Sequence, residues 1–221
     1  GDFVGSLVVP EGKRDRPTDW LKGRTRFDGA VSHRVEEPTN KGKGAAVRVG
    51  MLQARGQIRV MCDADGSMPP DELPKLLKPI IECKAEISIG SRYAEGAKTD
   101  VKQPFYRVLW SRLCNRVIQK SLVPGVRDTQ CGFKAFTAEA ARDLFRRARI
   151  DGWAFDLEIL ALARRRGFAI AEIGVEWKDD GRSRVNPLKD MWKVISEAMT
   201  IRKNLKTGVY NTANALPAQA A

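Results

Sequence analysis

Asp63 and Asp65 stand one residue apart in "RVMCDADGS", where an apolar run gives way to a turn. Two carboxylates this close repel one another and lose hydration if buried, so a positive partner is expected beside them. A divalent cation or an arginine would serve. Oxygen donors suit hard ions such as Mg²⁺ or Mn²⁺, which also bind substrate phosphates. A D-x-D at the end of a strand can hold a metal that neutralises a diphosphate leaving group. The same spacing also suits a solvated turn in which the aspartates cap the next helix.

Other stretches carry chemistry of a related kind. "NKGKGAAVRVG" joins a glycine-rich turn to a helix N-terminus, a natural site for an anion, with Lys43 adding charge. It is not a Walker A loop, because the Lys-Ser/Thr ending is missing. "SIGSRY" puts Arg92 at another strand end, and open α/β sheets bind ligands at the carboxyl ends of their strands. In "RDTQCGFKAF" and "DGWAFDLEIL", Phe133, Trp153 and Phe155 read as core. Asp128, Gln130, Asp156 and Glu158 do not, since burying unpaired acids is costly. The D-x-D-G-S run also resembles the nucleophile motif of haloacid-dehalogenase phosphatases, and "WKDDGRS" offers Asp179 and Asp180 as that class's later acidic pair.

The elements that must position these residues alternate in type. "GSLVVP", "QIRVMCD", "EISIG" and "AIAEIGVEW" read as strands. Helices are expected over 44–54, 70–82 with prolines at its start, 138–147, 155–166 and 187–204. A further helix lies in "QPFYRVLWSRLCNRVIQKSL", with an apolar stripe (Phe105, Leu109, Leu113, Val117), a basic stripe (Arg112, Arg116, Lys120) and a polar row (Arg107, Ser111, Asn115). Strands alternating with helices imply one α/β domain with a mostly parallel central sheet flanked by helices.

Composition narrows the partners. The 221 residues suffice for one substantial domain, and 39 Lys and Arg against 27 Asp and Glu give a net charge of +12. Such a chain attracts polyanions: nucleic acid, an anionic membrane face or phosphorylated ligands. No helix-turn-helix, RNP-type strand or zinc finger supports nucleic acid, so none is expected. Cys62, Cys83, Cys114 and Cys131 are widely spaced without a CxxC pair, which suggests reduced thiols in a cytosolic setting rather than zinc or disulfides. No apolar run approaches the roughly 18 residues of a membrane span. His33, the only histidine, is given no role.

The ordered set "NKGKGAAVRVGM", "VMCDADGS", "IGSRY", "RVLWSRLCNRVI", "RDTQCGFKAFT", "DGWAFDLEILALARRRG" and "IAEIGVEWKDDGRSRV" resembles GT-A-fold inverting glycosyltransferases of family two over residues 40–210. Within them it is nearest the dolichyl- or polyprenyl-phosphate glucosyltransferases, with the polyprenyl-phosphate mannose synthases next. The resemblance implies a metal-dependent enzyme that moves glucose from UDP-glucose to a polyprenyl phosphate. It places Asp63 and Asp65 on Mg²⁺ or Mn²⁺ and, through it, on the nucleotide-sugar diphosphate. Lys43 falls in the stretch that contacts the nucleotide, and Arg184 in a mobile loop closing on diphosphate and acceptor. Arg92, Arg107 and Ser111 fall where the acceptor phosphate is held, and Asp63, Asp65 and Arg92 form the catalytic group. The basic surface and the helix "MWKVISEAMTIRKNLK" then imply a peripheral protein on the cytoplasmic face of an anionic membrane.

The N-terminus departs from the family pattern. "SLVVPEGKRDRPTDWL" lacks both the "P-A-Y-N-E" that ends the first strand and the "D-D-G-S" that holds base and ribose. Missing residues near Pro10–Glu11 are the favoured explanation, since a GT-A sheet short of a strand would expose an edge. Residues 1–210 are accordingly expected to form one GT-A domain with an incomplete N-terminal part, and 211–221 a flexible tail. The alternatives are mannose from GDP-mannose, a soluble acceptor on the same fold, a haloacid-dehalogenase-like phosphatase, and a non-catalytic polyanion-binding protein.

Overall fold

The structure, a computed structural model, describes residues 3–7, 30–32, 41–63, 67–100, 122–178 and 187–214. Its larger sheet has the order β2-β1-β3-β6-β4-β7, from β1 (Phe3–Leu7), β2 (Ala30–Ser32), β3 (Ile58–Cys62), β4 (Ile87–Ser91), β6 (Phe133–Thr137) and β7 (Ile170–Gly174). β5 (Lys98–Asp100) and β8 (Glu176–Lys178) form a separate parallel pair. The helices are α1 (Lys43–Gln53), α2 (Leu73–Ile81), α3 (Ala138–Arg147), α4 (Phe155–Arg166) and α5 (Pro187–Thr207).

The six-stranded sheet is mixed. β4 and β7 pair in parallel, while β1 pairs antiparallel with both β2 and β3, and β6 runs antiparallel between β3 and β4. The reason lies in the path of the chain: residues 122–132 arrive at the edge where β4 ends, so β6 must run back across the sheet. β3, β4 and β7 still point one way. Their carboxyl ends share an edge with the start of β6, and that edge carries the candidate site.

The strands show why they are central. All five residues of β4 are buried, as in a strand covered on both faces. β6 alternates. Phe133 and Ala135 face Leu76, Leu77 and Ile80 of α2, while Phe136 faces Val47, Met51, Leu144 and Phe145 of α1 and α3. Phe136 meets Phe145 edge to face at 5.5 Å between ring centroids.

The helix ends follow local chemistry. Thr137 caps α3, its Oγ1 accepting the Ala140 N–H at 3.2 Å. α4 stops at Gly167, whose φ of 82° is the left-handed conformation glycine adopts without strain. Pro70 to Glu72 form a 3₁₀ turn leading into α2, so α2 begins three residues later than the expected helix.

After α5 the chain turns at Val209–Asn211 and stays bound. Arg147 Nη1 donates to the carbonyls of Tyr210 (2.9 Å) and Asn211 (2.7 Å), Arg149 Nη2 to that of Thr212 (2.8 Å), and Arg146 Nε to that of Asn214 (3.1 Å). Four residues assigned to the tail, 211–214, are therefore held against α3 and its exit.

Candidate active site

β3 delivers Asp63 to the shared edge. The Asp63 N–H continues the β3–β6 ladder by donating to the Gly132 carbonyl at 3.0 Å. Its side chain is 20% exposed, and Lys43 Nζ donates to Oδ1 at 2.6 Å from the first position of α1. The same ammonium lies 5.3 Å from the centroid of Trp153. Oδ2 lies against Gly132, where a Cβ would collide with the carboxylate. Glycine in "QCGF" is thus what leaves room for the acid.

The glycine-rich start of α1 serves packing more than ligand. Gly42 has φ 116°, and any side chain there would strike the Asp151 carbonyl. A Cβ on Gly44 would come within 2.6 Å of the Ile150 carbonyl oxygen and 2.7 Å of Phe155 Cβ. The N–H groups of Gly44 and Ala45 both donate to the Asp151 carbonyl, at 2.9 and 3.3 Å. The helix N-terminus expected to receive an anion therefore spends two of its donors on loop 150–154, which seats Trp153 beside Lys43.

That loop is also fastened from behind. Arg48 Nη2 donates to Asp151 Oδ1 at 2.5 Å, and Glu197 of α5 accepts the Ala154 N–H at 2.8 Å. Gly152 has no side chain where the Glu197 carboxylate comes in.

β4 delivers Arg92 to the same edge. Its backbone N–H (3.0 Å) and Nε (2.8 Å) donate to Asp128 Oδ2, and its Nη2 to Oδ1 (2.9 Å). Asp128 is 1% exposed and the Arg92 side chain 27%. Burial works against the guanidinium's charge, but the paired carboxylate outweighs it and raises Arg92 above its already high range. The ring centroids of Trp177, in β8, and Tyr93 lie 5.1 and 5.7 Å from the guanidinium carbon. Glu172 holds the segment before β6 in place by accepting the N–H groups of Arg127 and Asp128. Residues 128–132 thus join the two charged strand ends, pairing with Arg92 at one end and making room for Asp63 at the other.

A second layer lies beneath. Lys134 in β6 is fully buried and donates to Asp156 Oδ1 and to the Cys131 carbonyl, both at 2.5 Å. Burial pushes the Asp156 carboxyl up while Lys134 pulls it down; Lys43 and Asp63 act on it as well, in opposite senses. Glu158, also fully buried, accepts the N–H groups of Arg149 and Ile150 and the hydroxyl of Tyr210 (2.7 Å). Burial raises the Glu158 carboxyl too. Asp128, Asp156 and Glu158, which a simple core could not account for, are each buried with a partner. Burial pushes the Cys131 thiol up to about 12, so it is no nucleophile near neutral pH. Cys62 and Cys83 are thiols as well.

Of the residues singled out in the sequence, the fold brings Asp63, Lys43 and Arg92 to one sheet edge. Asp65, Arg107, Ser111 and Arg184 lie outside the described residues, as do the helix at 103–121, His33 and the Pro10–Glu11 region. Among the described residues no three acid, cysteine or histidine side chains cluster around a metal-sized space. The donor at hand nonetheless fits a hard cation: a partly exposed carboxylate at a strand end, set in a recess that a Cβ on Gly132 would fill. Asp63 would be one ligand of such an ion; Asp65, its expected partner, lies outside the described residues.

Known proteins share the family and the fold of this chain. Residues 7–145 match the model of Glycosyl transferase family 2. The chain is 35% identical over 92% of its length to "Dolichyl-phosphate beta-glucosyltransferase ALG5C" of Trichomonas vaginalis, covering 61% of that protein. It is 33% identical to the Homo sapiens "Dolichyl-phosphate beta-glucosyltransferase", again over 92% of this chain and 65% of the relative. The chain thus spans about three fifths of the length of the curated relatives it matches. Among solved structures, a glucosyl-3-phosphoglycerate synthase from Mycobacterium tuberculosis in complex with Mn²⁺, UDP-glucose and phosphoglyceric acid superimposes with a TM-score of 0.56 at 18% identity, covering 79% of this chain and 57% of that one. The chain belongs to glycosyl transferase family 2, with a GT-A fold.

Proposed function

We propose that this chain is the catalytic part of an inverting glycosyltransferase that moves glucose from UDP-glucose to a dolichyl-type polyprenyl phosphate at the cytoplasmic face of a membrane. The observation that supports it best is the charge layout of one sheet edge, Asp63 with Lys43 and Arg92 with Asp128, in a chain whose relatives are named dolichyl-phosphate beta-glucosyltransferases. In this reading Asp63 and Asp65 hold Mg²⁺ or Mn²⁺, which supplies charge neutralisation for the departing diphosphate. Lys43 and Arg184 bind the nucleotide sugar, while Arg92, Arg107, Ser111 and Arg184 hold the acceptor phosphate.

Arg92 suits its part. Asp128 takes Nε and Nη2, which fixes the plane of the guanidinium and directs Nη1 away from that carboxylate. A phosphate monoester is largely ionised near pH 7, with its second pKa at about 6. Its oxygen attacks the anomeric carbon without first losing a proton, the bond to UDP breaks, and the electron pair leaves with the diphosphate. Positioning and charge carry the rate.

The test is transfer of labelled sugar into organic-extractable lipid, with UDP-glucose and GDP-mannose offered separately and a chelator as control. Label from UDP-glucose, lost with chelator, supports the proposal. Label from GDP-mannose alone would reassign the sugar, and failure of both donors would overturn the lipid acceptor.

A further inference from the structure

Helix α5 carries two unlike faces. Toward the protein, Ala198 and Ile201 are buried, Val194 and Leu205 pack on the same core, and Glu197 reaches the Ala154 N–H. Residues seven apart on a helix point the same way. On the outward side that row is Trp192, Met199 and Lys206, with Lys203 next to it. Trp192 is 69% exposed and Met199 64%, the largest exposures among the described large apolar side chains. Met199, Arg202, Lys203, Lys206 and Thr207 line an open groove of about 450 Å³. Among the described side chains of α5, its one carboxylate, Glu197, is turned inward.

An exposed tryptophan and methionine have no reason to stay in water, and three cations crowded on one stretch repel each other unless an anion lies opposite. Apolar side chains that enter the headgroup region beside cations that meet lipid phosphates are what an interfacial helix requires. No helix among the described residues is long and apolar enough to cross a membrane, so α5 would lie on the surface. We propose that the outward face of α5 is a docking surface for an anionic lipid bilayer, with Trp192 and Met199 inserting and Arg202, Lys203 and Lys206 contacting headgroups. This deepens the reading above and rests on it only for why a membrane should be near. Through Glu197 the same helix holds the loop that carries Trp153, so a bilayer seated on α5 would face away from that loop, across the helix.

The experiment is co-sedimentation of the full chain with vesicles of phosphatidylcholine alone or mixed with phosphatidylserine. Binding to the anionic vesicles, weakened by salt, is the expected result. The double substitution Lys203→Glu/Lys206→Glu should weaken it by about tenfold or more. Quenching of tryptophan fluorescence by brominated lipid should fall with Trp192→Phe. All these residues are exposed, so the variants should fold. Absence of binding to anionic vesicles, or equal binding by the charge-reversed chain, overturns the proposal. So does a concentration-dependent dimer that Met199→Glu abolishes, because it would give this face to a second copy. Transfer by the unaltered chain to a short, water-soluble prenyl phosphate, measured without vesicles, tests the catalytic reading separately.

Discussion

Asp128 accepts three hydrogen bonds from a single residue, taking the backbone N–H, Nε and Nη2 of Arg92. The carboxylate fixes the guanidinium's position and orientation together, 36 residues away in sequence. Asp128→Asn keeps the shape but loses the charge, leaving Arg92 largely buried and poorly paired. A loss of about 2–4 kcal/mol is expected in urea unfolding. Under the proposed reading, Arg92→Lys should weaken acceptor use, because an ammonium cannot make the forked contact. An Arg92→Lys enzyme with an unchanged KM for the lipid phosphate would remove Arg92 from the acceptor site.

Lys134 and Asp156 form a buried ion pair whose partners are costly to separate. Lys134→Met strands a carboxylate in the core and should destabilise by about 3–5 kcal/mol. Adding Asp156→Leu should recover much of that loss, since an apolar pair of similar volume suits the site. A double-mutant cycle by chemical denaturation measures it, and simple additivity would mean the two charges do not depend on each other.

If Asp63 holds a metal as proposed, Gly132 is a sensitive position for it. Gly132→Ala drives a methyl into the Asp63 carboxylate, so Mn²⁺ affinity should fall at least as far as in Asp63→Asn. Paramagnetic resonance of the free ion reads this without a turnover assay. Lys43→Met acts in the opposite sense. It removes the cation that holds Oδ1 and should tighten Mn²⁺ about tenfold, while raising the KM for the nucleotide sugar.

Asp143 gives the acid dependence a definite sign. It sits between Arg147 Nε (2.9 Å) and Arg166 Nε (2.7 Å). Burial pushes its carboxyl up, but the two arginines outweigh it and hold it below the ordinary 3.8. Its ionised form therefore stabilises the fold above that value, and the contribution disappears as pH falls through the depressed one. Asp143→Asn should lose about 0.5–1 kcal/mol at neutral pH, a small figure because solvent screens the pair. The difference from the unaltered chain should close in strong acid. Glu158 acts oppositely: raised above its ordinary 4.5 by burial, it favours the fold below that value, and the benefit is lost as pH rises through the raised one.

Local signals were easy to read. The apolar runs of β3 and β4, the bounds of the helices at 138–147 and 155–166 and the placing of Asp63 and Arg92 at strand ends all rest on neighbours within a few positions. Long-range partnerships were not legible. Nothing near Lys134 says that it is buried, and nothing near Asp156 names its partner 22 residues back. The glycines of "NKGKG" invited a phosphate, whereas their reason is the backbone of residues 150–152, distant in sequence. β6 was not among the strands expected, and its direction was hidden for a similar cause. It depends on the route of residues 122–132, and a strand's pattern of side chains reads the same in either direction.

The match to the family model ends at residue 145, yet much of what steadies the edge comes later. Glu197 holds the Trp153 loop, and Tyr210 donates to Glu158 two residues beyond Asp156. A chain cut after β8 would keep Asp63, Lys43 and Arg92 and lose both fastenings. The C-terminal segment is thus part of the foundation of the site, and progressive shortening from that end would loosen the charged sheet edge by degrees before the sheet itself gave way.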